Sequence, residues 1–289
     1  MKGEKKVYLL IISAVLFAFL SNAGLIADSI ARERMTWVEL SPAIESKLRA
    51  IFETGEFNAR LFRGEWGPDG ATYTVLERNS KENVMELVSY EIVTGKRTVL
   101  ARSSQLIPSG QQKPLTVENY ALSPDGAFIL LQTNSRTDEE TGEPLVDYWL
   151  LKREDGNLTK IVSGGGPVNI RQCFSPDSRR IIFSLKSNLC VYEVETGRQI
   201  SLTTDGVANK ISNGQAVWSP DGKYVAYIQS DSSNVLLRPV LVPVDPTYPK
   251  VRYIRFARVG TPIPRLRLGV VKAEGGETVW LKIGKEGEE

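Results

Sequence analysis

Histidine is absent from all 289 residues, so no Ser-His-Asp or Cys-His relay can be assembled from this chain. There is no Gly-x-Ser-x-Gly run either, which removes the sharp strand-to-helix turn that exposes a nucleophilic serine. With no imidazole and only two cysteines, Cys173 and Cys190, the ligand sets of zinc hydrolases are missing too. The residues therefore supply no catalytic group, no metal ligand set and no cofactor site that sequence reading can pick out, and a two-carboxylate glycosidase has no motif behind it. Excess charge of one sign is lacking: 36 Lys and Arg stand against 34 Asp and Glu, with no like-charge block beyond a short acidic tail, so no phosphate-tracking surface for nucleic acid is visible. The glycine-rich run Ser163-Gly164-Gly165-Gly166-Pro167 lacks the Lys-Ser/Thr ending and the following helix of a phosphate loop, and reads as a linker between repeats.

What is present is a repeat. Trp218-Ser219-Pro220-Asp221-Gly222 has Pro to fix the first corner of a turn, Asp to bond its own downstream backbone and Gly for a left-handed position. Trp66-Gly67-Pro68-Asp69-Gly70, Leu122-Ser123-Pro124-Asp125-Gly126 and Phe174-Ser175-Pro176-Asp177-Ser178 follow the same grammar, and an apolar strand pattern follows each turn. After the last turn, Tyr224 to Ile228 is apolar on both faces and predicts a strand buried on both sides. A second turn closes each unit, at Thr94-Gly95, Asp155-Gly156, Thr196-Gly197 and Glu274-Gly275, between an apolar strand and a short final one. The interval of about fifty residues is that of a four-stranded propeller blade with variable loops. The expected fold is all-β, a β-propeller with about four visible blades over 57–283 that form part of a larger ring. A β-sandwich is the alternative, and one grammar kept through every unit argues against it. In the propeller, Trp66, Phe174 and Trp218 should pack between blades, and Asp69, Asp125, Asp177 and Asp221 should cap the turns. Two stretches break the pattern: Asp138 to Glu143 is an acidic hairpin tip, and the proline-broken residues between Tyr227 and Gly275 predict an extended, irregular excursion.

The N-terminus is of another kind. Lys2, Lys5 and Lys6 precede an apolar run from Val7 to Leu20 and then Ser21-Asn22-Ala23, which predicts a signal peptide over 1–23. Counting on to Ala27, residues 7–27 are long enough to be an uncleaved membrane anchor instead. No cysteine follows the run, so a lipid anchor is not indicated. Either way the body of the chain is expected outside the cytoplasm, periplasmic or secreted, touching membrane only through this segment. That compartment permits a disulfide, but the blade reading puts a whole strand between Cys173 and Cys190, too far for a bridge without a bulge, so two small buried residues are the preferred reading and a disulfide the alternative. Residues 24–56 read as a connector with one short amphipathic helix: Ser41 as N-cap, Pro42 in the first turn, and Ile44, Leu48 and Ile51 at helical spacing. Residues 284–289 are a polar tail.

Three segments in order, Trp218 to Tyr227, Tyr248-Pro249-Lys250-Val251-Arg252-Tyr253, and Gly260-Thr261-Pro262-Ile263-Pro264, together with Leu61 to Trp66 near the start, resemble the N-terminal propeller domain of the dipeptidyl peptidase IV family of prolyl oligopeptidase-type serine peptidases. The resemblance covers roughly Phe57 to Leu281. It implies an eight-bladed propeller over a C-terminal α/β-hydrolase domain, with a catalytic triad in the hydrolase and a propeller glutamate pair that holds the substrate's free amine. This chain departs from that pattern. It holds no histidine and no hydrolase segment, and Asn213-Gly214 runs through Gln215-Ala216-Val217 directly into Trp218, without the acidic insert that carries the glutamates.

Two functional expectations follow. One is a non-catalytic extracytoplasmic propeller, a truncated or split member that takes part in proteolysis only with a missing hydrolase domain. The other is a self-contained four-bladed module, closed on itself, that binds a peptide or a partner protein. The partners expected are a peptide or protein, a separate hydrolase domain or a second copy of the chain, and not nucleic acid.

Overall fold

The computed structural model describes residues 41–54, 56, 57, 62, 64–79, 84–242 and 247–283. The signal-peptide reading of residues 1–23, the anchor reading of residues 7–27 and the tail 284–289 lie outside them. No helix among the described residues is long and apolar enough to cross a membrane. The chain divides into two compact units, one up to Leu61 and one from Phe62 onward. In the first, α1 (Pro42–Phe52) starts where the Ser41 hydroxyl accepts the Ile44 N–H, and Arg49 pairs with Glu45 and Glu53 one turn away on either side.

The second unit is built from antiparallel sheets in chain order. Blade 1 is β1 (Glu65–Trp66), β2 (Thr72–Asn79), β3 (Val84–Glu91) and β4 (Arg97–Ala101). Blade 2 is β5 (Val117–Leu122), β6 (Phe128–Thr137), β7 (Pro144–Lys152) and β8 (Leu158–Gly165). Blade 3 is β9 (Arg180–Leu185), β10 (Asn188–Glu193) and β11 (Gln199–Ser201), its innermost place taken by the single bridge Phe174↔Ile181. Blade 4 pairs β12 (Ile211–Trp218) and β13 (Tyr224–Asp231) with two later strands. Between them the chain leaves as a separate hairpin, β14 (Leu237–Val242) and β15 (Lys250–Arg255), and returns as β16 (Arg265–Lys272) and β17 (Val279–Leu281). The irregular excursion expected here is thus a regular two-stranded hairpin. Pro239 fits because each strand of a two-stranded ribbon is an edge, with one side that needs no donor. Likewise Ser163 to Gly165, read as linker, is the end of β8, and Gly166 bridges to Ser184 of blade 3.

The four turns impose one register. Trp66 pairs with Tyr73, Leu122 with Ile129, Phe174 with Ile181 and Trp218 with Val225, so the residue before each turn shares a sheet face with the same position after it. That face turns toward the preceding blade. Leu122, Ile129 and Leu131 pack with Leu87 and Ala101 of blade 1; Phe174, Ile181 and Phe183 with Leu130 and Tyr148 of blade 2; Val225 and Tyr227, flanked by Trp218, with Ile182, Leu189 and Val191 of blade 3. Because strand side chains alternate, the opposite face meets the following blade, and β6 and β9, with neighbours on both sides, are buried on both.

The end blades break this symmetry, which corrects two expectations. Trp66 does not pack between blades; it is 73% exposed, because no described blade precedes blade 1. β13 is buried only on the face toward blade 3, while Tyr224, Ala226 and Ile228 stay partly open. Among the described residues no strand pairing, hydrogen bond, ion pair or hydrophobic cluster joins blade 4 to blade 1.

Candidate functional site

The turn residues lie in one chemical pattern. Asp125 Oδ1 accepts the Ser123 hydroxyl at 2.6 Å and the Ala127 N–H at 2.9 Å, while Ser123 Oγ accepts the Phe128 N–H. Asp177 repeats this with Ser175 and Arg179, and Asp221 with Ser219 and Lys223. Asp69 has Gly67 where the others have serine, and it takes the Ala71 and Thr72 N–H groups and the Thr72 hydroxyl instead. All four carboxyls are held below their ordinary value. For Asp125 and Asp177, burial pushes the other way and the hydrogen bonds outweigh it; for Asp69 the Thr72 hydroxyl leads, and for Asp221 the Ser219 hydroxyl. In each case the donors come from the same turn and meet Oδ1, which favours the charged form.

Phe174 is buried in the blade 2–blade 3 core. Trp218 is half-buried, and its indole N–H donates to the Cys173 carbonyl of blade 3 at 2.9 Å. The third repeat has Ser178 where the others have glycine, at φ 61. Its buried hydroxyl accepts the Asp125 N–H of blade 2 at 3.1 Å, a tie between neighbouring turns that glycine cannot make. Cys173 and Cys190 are free and buried, and burial pushes both thiols up.

Two polar clusters escaped the sequence reading. Asp147, on apolar β7, is buried and takes Lys160 Nζ at 2.9 Å, Arg136 Nη1 at 3.0 Å, Asn134 Nδ2 at 3.2 Å and the Gly164 N–H at 2.9 Å. Burial alone raises its carboxyl, but these donors together hold it well below the usual carboxylate range. A lone Asp inside Pro144-Leu145-Val146-Asp147-Tyr148-Trp149 was the available signal. Between blades 3 and 4, Asp205 accepts from buried Asn213 and Gln229, which bond each other. The acidic hairpin tip is held: Glu143 Oε1 accepts the Asn209 N–H at 2.9 Å, Asn209 Nδ2 donates to the Thr141 carbonyl, and a Cβ on Gly142 would lie 2.7 Å from Arg252 Cζ.

The innermost strands carry what is left for recognition. Arg171, in the turn Ile170–Gln172 that opens blade 3, reaches back to pair with Glu65 of β1. Beside it runs a groove of about 500 Å³ lined by Pro167, Val168, Asn169, Gln172, Gln215 and Val217. β12 bulges between Gly214 and Val217, with Gln215 at φ 50. The side chains of Asn169, Gln172 and Gln215 are exposed, and no carboxylate lines the groove. Among the described residues no three His, Cys, Asp or Glu are grouped to hold a metal ion.

A model of the family described as the dipeptidyl peptidase IV (DPP IV) N-terminal region matches residues 123–289, more than half of the chain. Dipeptidyl aminopeptidase B of Saccharomyces cerevisiae is 27% identical over 204 residues, a match that takes in 64% of this chain and 24% of that protein. The human prolyl endopeptidase FAP is 22% identical over 246 residues, with 78% of this chain and 30% of the relative covered. The chain therefore spans between 24% and 30% of the length of these curated relatives. A dipeptidyl peptidase 4 from Porphyromonas gingivalis superposes with a TM-score of 0.69 at 21% identity, over 81% of this chain and 34% of that structure, a likeness of fold.

Proposed function

Because the chain belongs to the family of the dipeptidyl peptidase IV N-terminal region, we propose that it is the peptide-holding, non-catalytic propeller part of an extracytoplasmic serine-peptidase system. In this reading residues 1–23 are a signal peptide, or residues 7–27 a membrane anchor, and these 289 residues, which hold no histidine, leave bond cleavage to a hydrolase domain. What supports a holding role is the inner groove. Its polar lining is three side-chain amides, each able to donate to a peptide carbonyl and accept from a peptide N–H, beside the apolar surfaces of Pro167, Val168 and Val217.

The observation that carries the reading furthest is the composition of that groove. A free amine wants carboxylates. The groove has none, and Glu65 on the neighbouring inner strand is already paired with Arg171. The ligand is therefore an extended segment recognised through its neutral backbone, with no requirement for a free N-terminus. The test is calorimetric titration of the chain with a proline-containing peptide, free or acetylated at its amine. Equal affinity for both forms, lost together in Gln215→Ala plus Gln172→Ala, is expected. A tenfold or greater preference for the free amine would overturn the reading.

A further inference from the structure

The β14–β15 hairpin has no core of its own. Among the described residues its two strands pair only with each other, and no hydrophobic cluster includes a residue of either. A lone two-stranded ribbon is marginal in water, so its position has to be fixed by other contacts. The register puts Arg238, Val240, Val242, Lys250, Arg252 and Ile254 on one face. Two residues of that face meet the acidic hairpin tip of blade 2, across blade 3 in the order of the array. Arg252 lies over Gly142, where a Cβ would come within 2.7 Å of its Cζ, and Lys250 Nζ stands 4.0 Å from Glu139 Oε2.

The same tip is tied to the base of the hairpin a second time, through Asn209, which sits at φ 58 in the turn before β12. Its N–H donates to Glu143 Oε1 at 2.9 Å and its Nδ2 to the Thr141 carbonyl at 3.0 Å. Its own carbonyl accepts Arg255 Nε at 2.7 Å, while Arg255 Nη1 donates to the carbonyls of Val235 at 2.7 Å and Ser233 at 3.1 Å. The planar fork of one arginine on β15 thus joins the turn before β12 to the segment that leads into β14, which the single ammonium of a lysine cannot do. One group opposes docking: Arg252 Nε is buried and makes no hydrogen bond, a cost that water relieves once the ribbon lifts. We infer that the blade 2 tip, Asn209 and Arg255 form a clasp, and that the hairpin is a strap with two states, docked on the tip or lifted about its connections to β13 and β16 with every blade intact. Gly142 sets the balance, because any side chain there meets the Arg252 guanidinium.

The test is hydrogen exchange of the full chain, read by mass spectrometry, for the wild type, Gly142→Ala, Arg255→Lys and Gly95→Ala. Gly142 at φ 74 and Gly95 at φ 67 share a left-handed backbone, but nothing lies within 4 Å of a Cβ on Gly95. The Gly95 variant therefore carries the backbone strain without the clash. Gly142→Ala and Arg255→Lys should each speed exchange of the β14–β15 amides at least about tenfold, while the strands of blades 2 and 4 stay protected. Gly95→Ala should leave the hairpin at the wild-type rate. Wild-type hairpin amides that exchange like those of an unstructured peptide would overturn the inference, as would a clasp variant that leaves them unchanged. So would equal acceleration in Gly95→Ala, or loss of protection in the blades in parallel with the hairpin. None of the substituted residues lines the groove, so the proposed peptide binding can fail without this inference failing.

Discussion

Trp66 and Trp218 occupy the same place in the repeat, yet they should respond very unequally to the same substitution. Trp218→Phe removes one hydrogen bond, the indole N–H to the Cys173 carbonyl, but that carbonyl keeps the Ile182 N–H at 2.8 Å and is not orphaned. The loss should be that of an ordinary bond, about 0.5–1.5 kcal/mol. Trp218→Ala also removes a ring packed beside Ile182, Leu189 and Val191. A large aromatic cut to alanine costs about 3–5 kcal/mol when buried, and the partial exposure of Trp218 places it near the lower end, about 3 kcal/mol. Trp66→Ala removes a ring that is 73% exposed and should move stability by no more than about 0.5 kcal/mol in dilute solution. The assay is urea unfolding followed by far-UV circular dichroism, which does not depend on the tryptophans being changed, with an unchanged slope required before midpoints are compared. Dilution matters, since a partner that covers Trp66 would add apparent stability. A loss above about 2 kcal/mol for Trp66→Ala at the lowest concentration, or below about 1 kcal/mol for Trp218→Ala, would refute the directional packing rule.

Ser178→Ala keeps the left-handed backbone and deprives the Asp125 N–H of its acceptor, and should cost about 1–3 kcal/mol in the same urea assay; Ser178→Gly relieves the backbone and should cost less, so equal losses would show that the hydroxyl is not the reason serine is there. Asp147→Asn should lower stability by about 1.5–3 kcal/mol near neutral pH, because Lys160 and Arg136 lose a charged acceptor. The folded carboxyl lies below its unfolded value of about 3.9, so its stabilisation is present above that pH and drains away as pH falls further; the gap between wild type and variant should narrow in acid, and a gap that is constant with pH would deny the charge its role. Cys173 and Cys190, buried and with thiols pushed up, should react with an aromatic disulfide reagent only as fast as the protein opens, and rapid labelling in native buffer would contradict their placement.

The turns were legible because their chemistry is local: proline, a carboxylate that bonds within three residues, and glycine or its substitute state a conformation without reference to the rest of the molecule. From them followed the strand order and the register, since the residue before each turn is fixed opposite the same position after it. The β14–β15 hairpin was misread for the converse reason. Its prolines suit an edge, and being an edge on both strands is a property of the ribbon, which no single residue of it declares. Trp66 fails for a third reason. Its own repeat differs from that of Trp218 by Gly67 in place of Ser219, and what separates their burial is whether a described blade stands upstream. That could have been read from order alone, because Trp66 opens the series and nothing of the repeat precedes it. Asp147 shows the limit in the other direction: a carboxylate in an apolar strand announces a buried partner, but Lys160 and Arg136 reach it from strands on either side, and only the sheet brings the three together. The inner groove is of the same kind, since Asn169 and Gln172 meet Gln215 across two blades more than forty residues apart. Features that rest on one turn were written in the residues; those that rest on the relation between blades, the groove among them, exist only once the array is assembled.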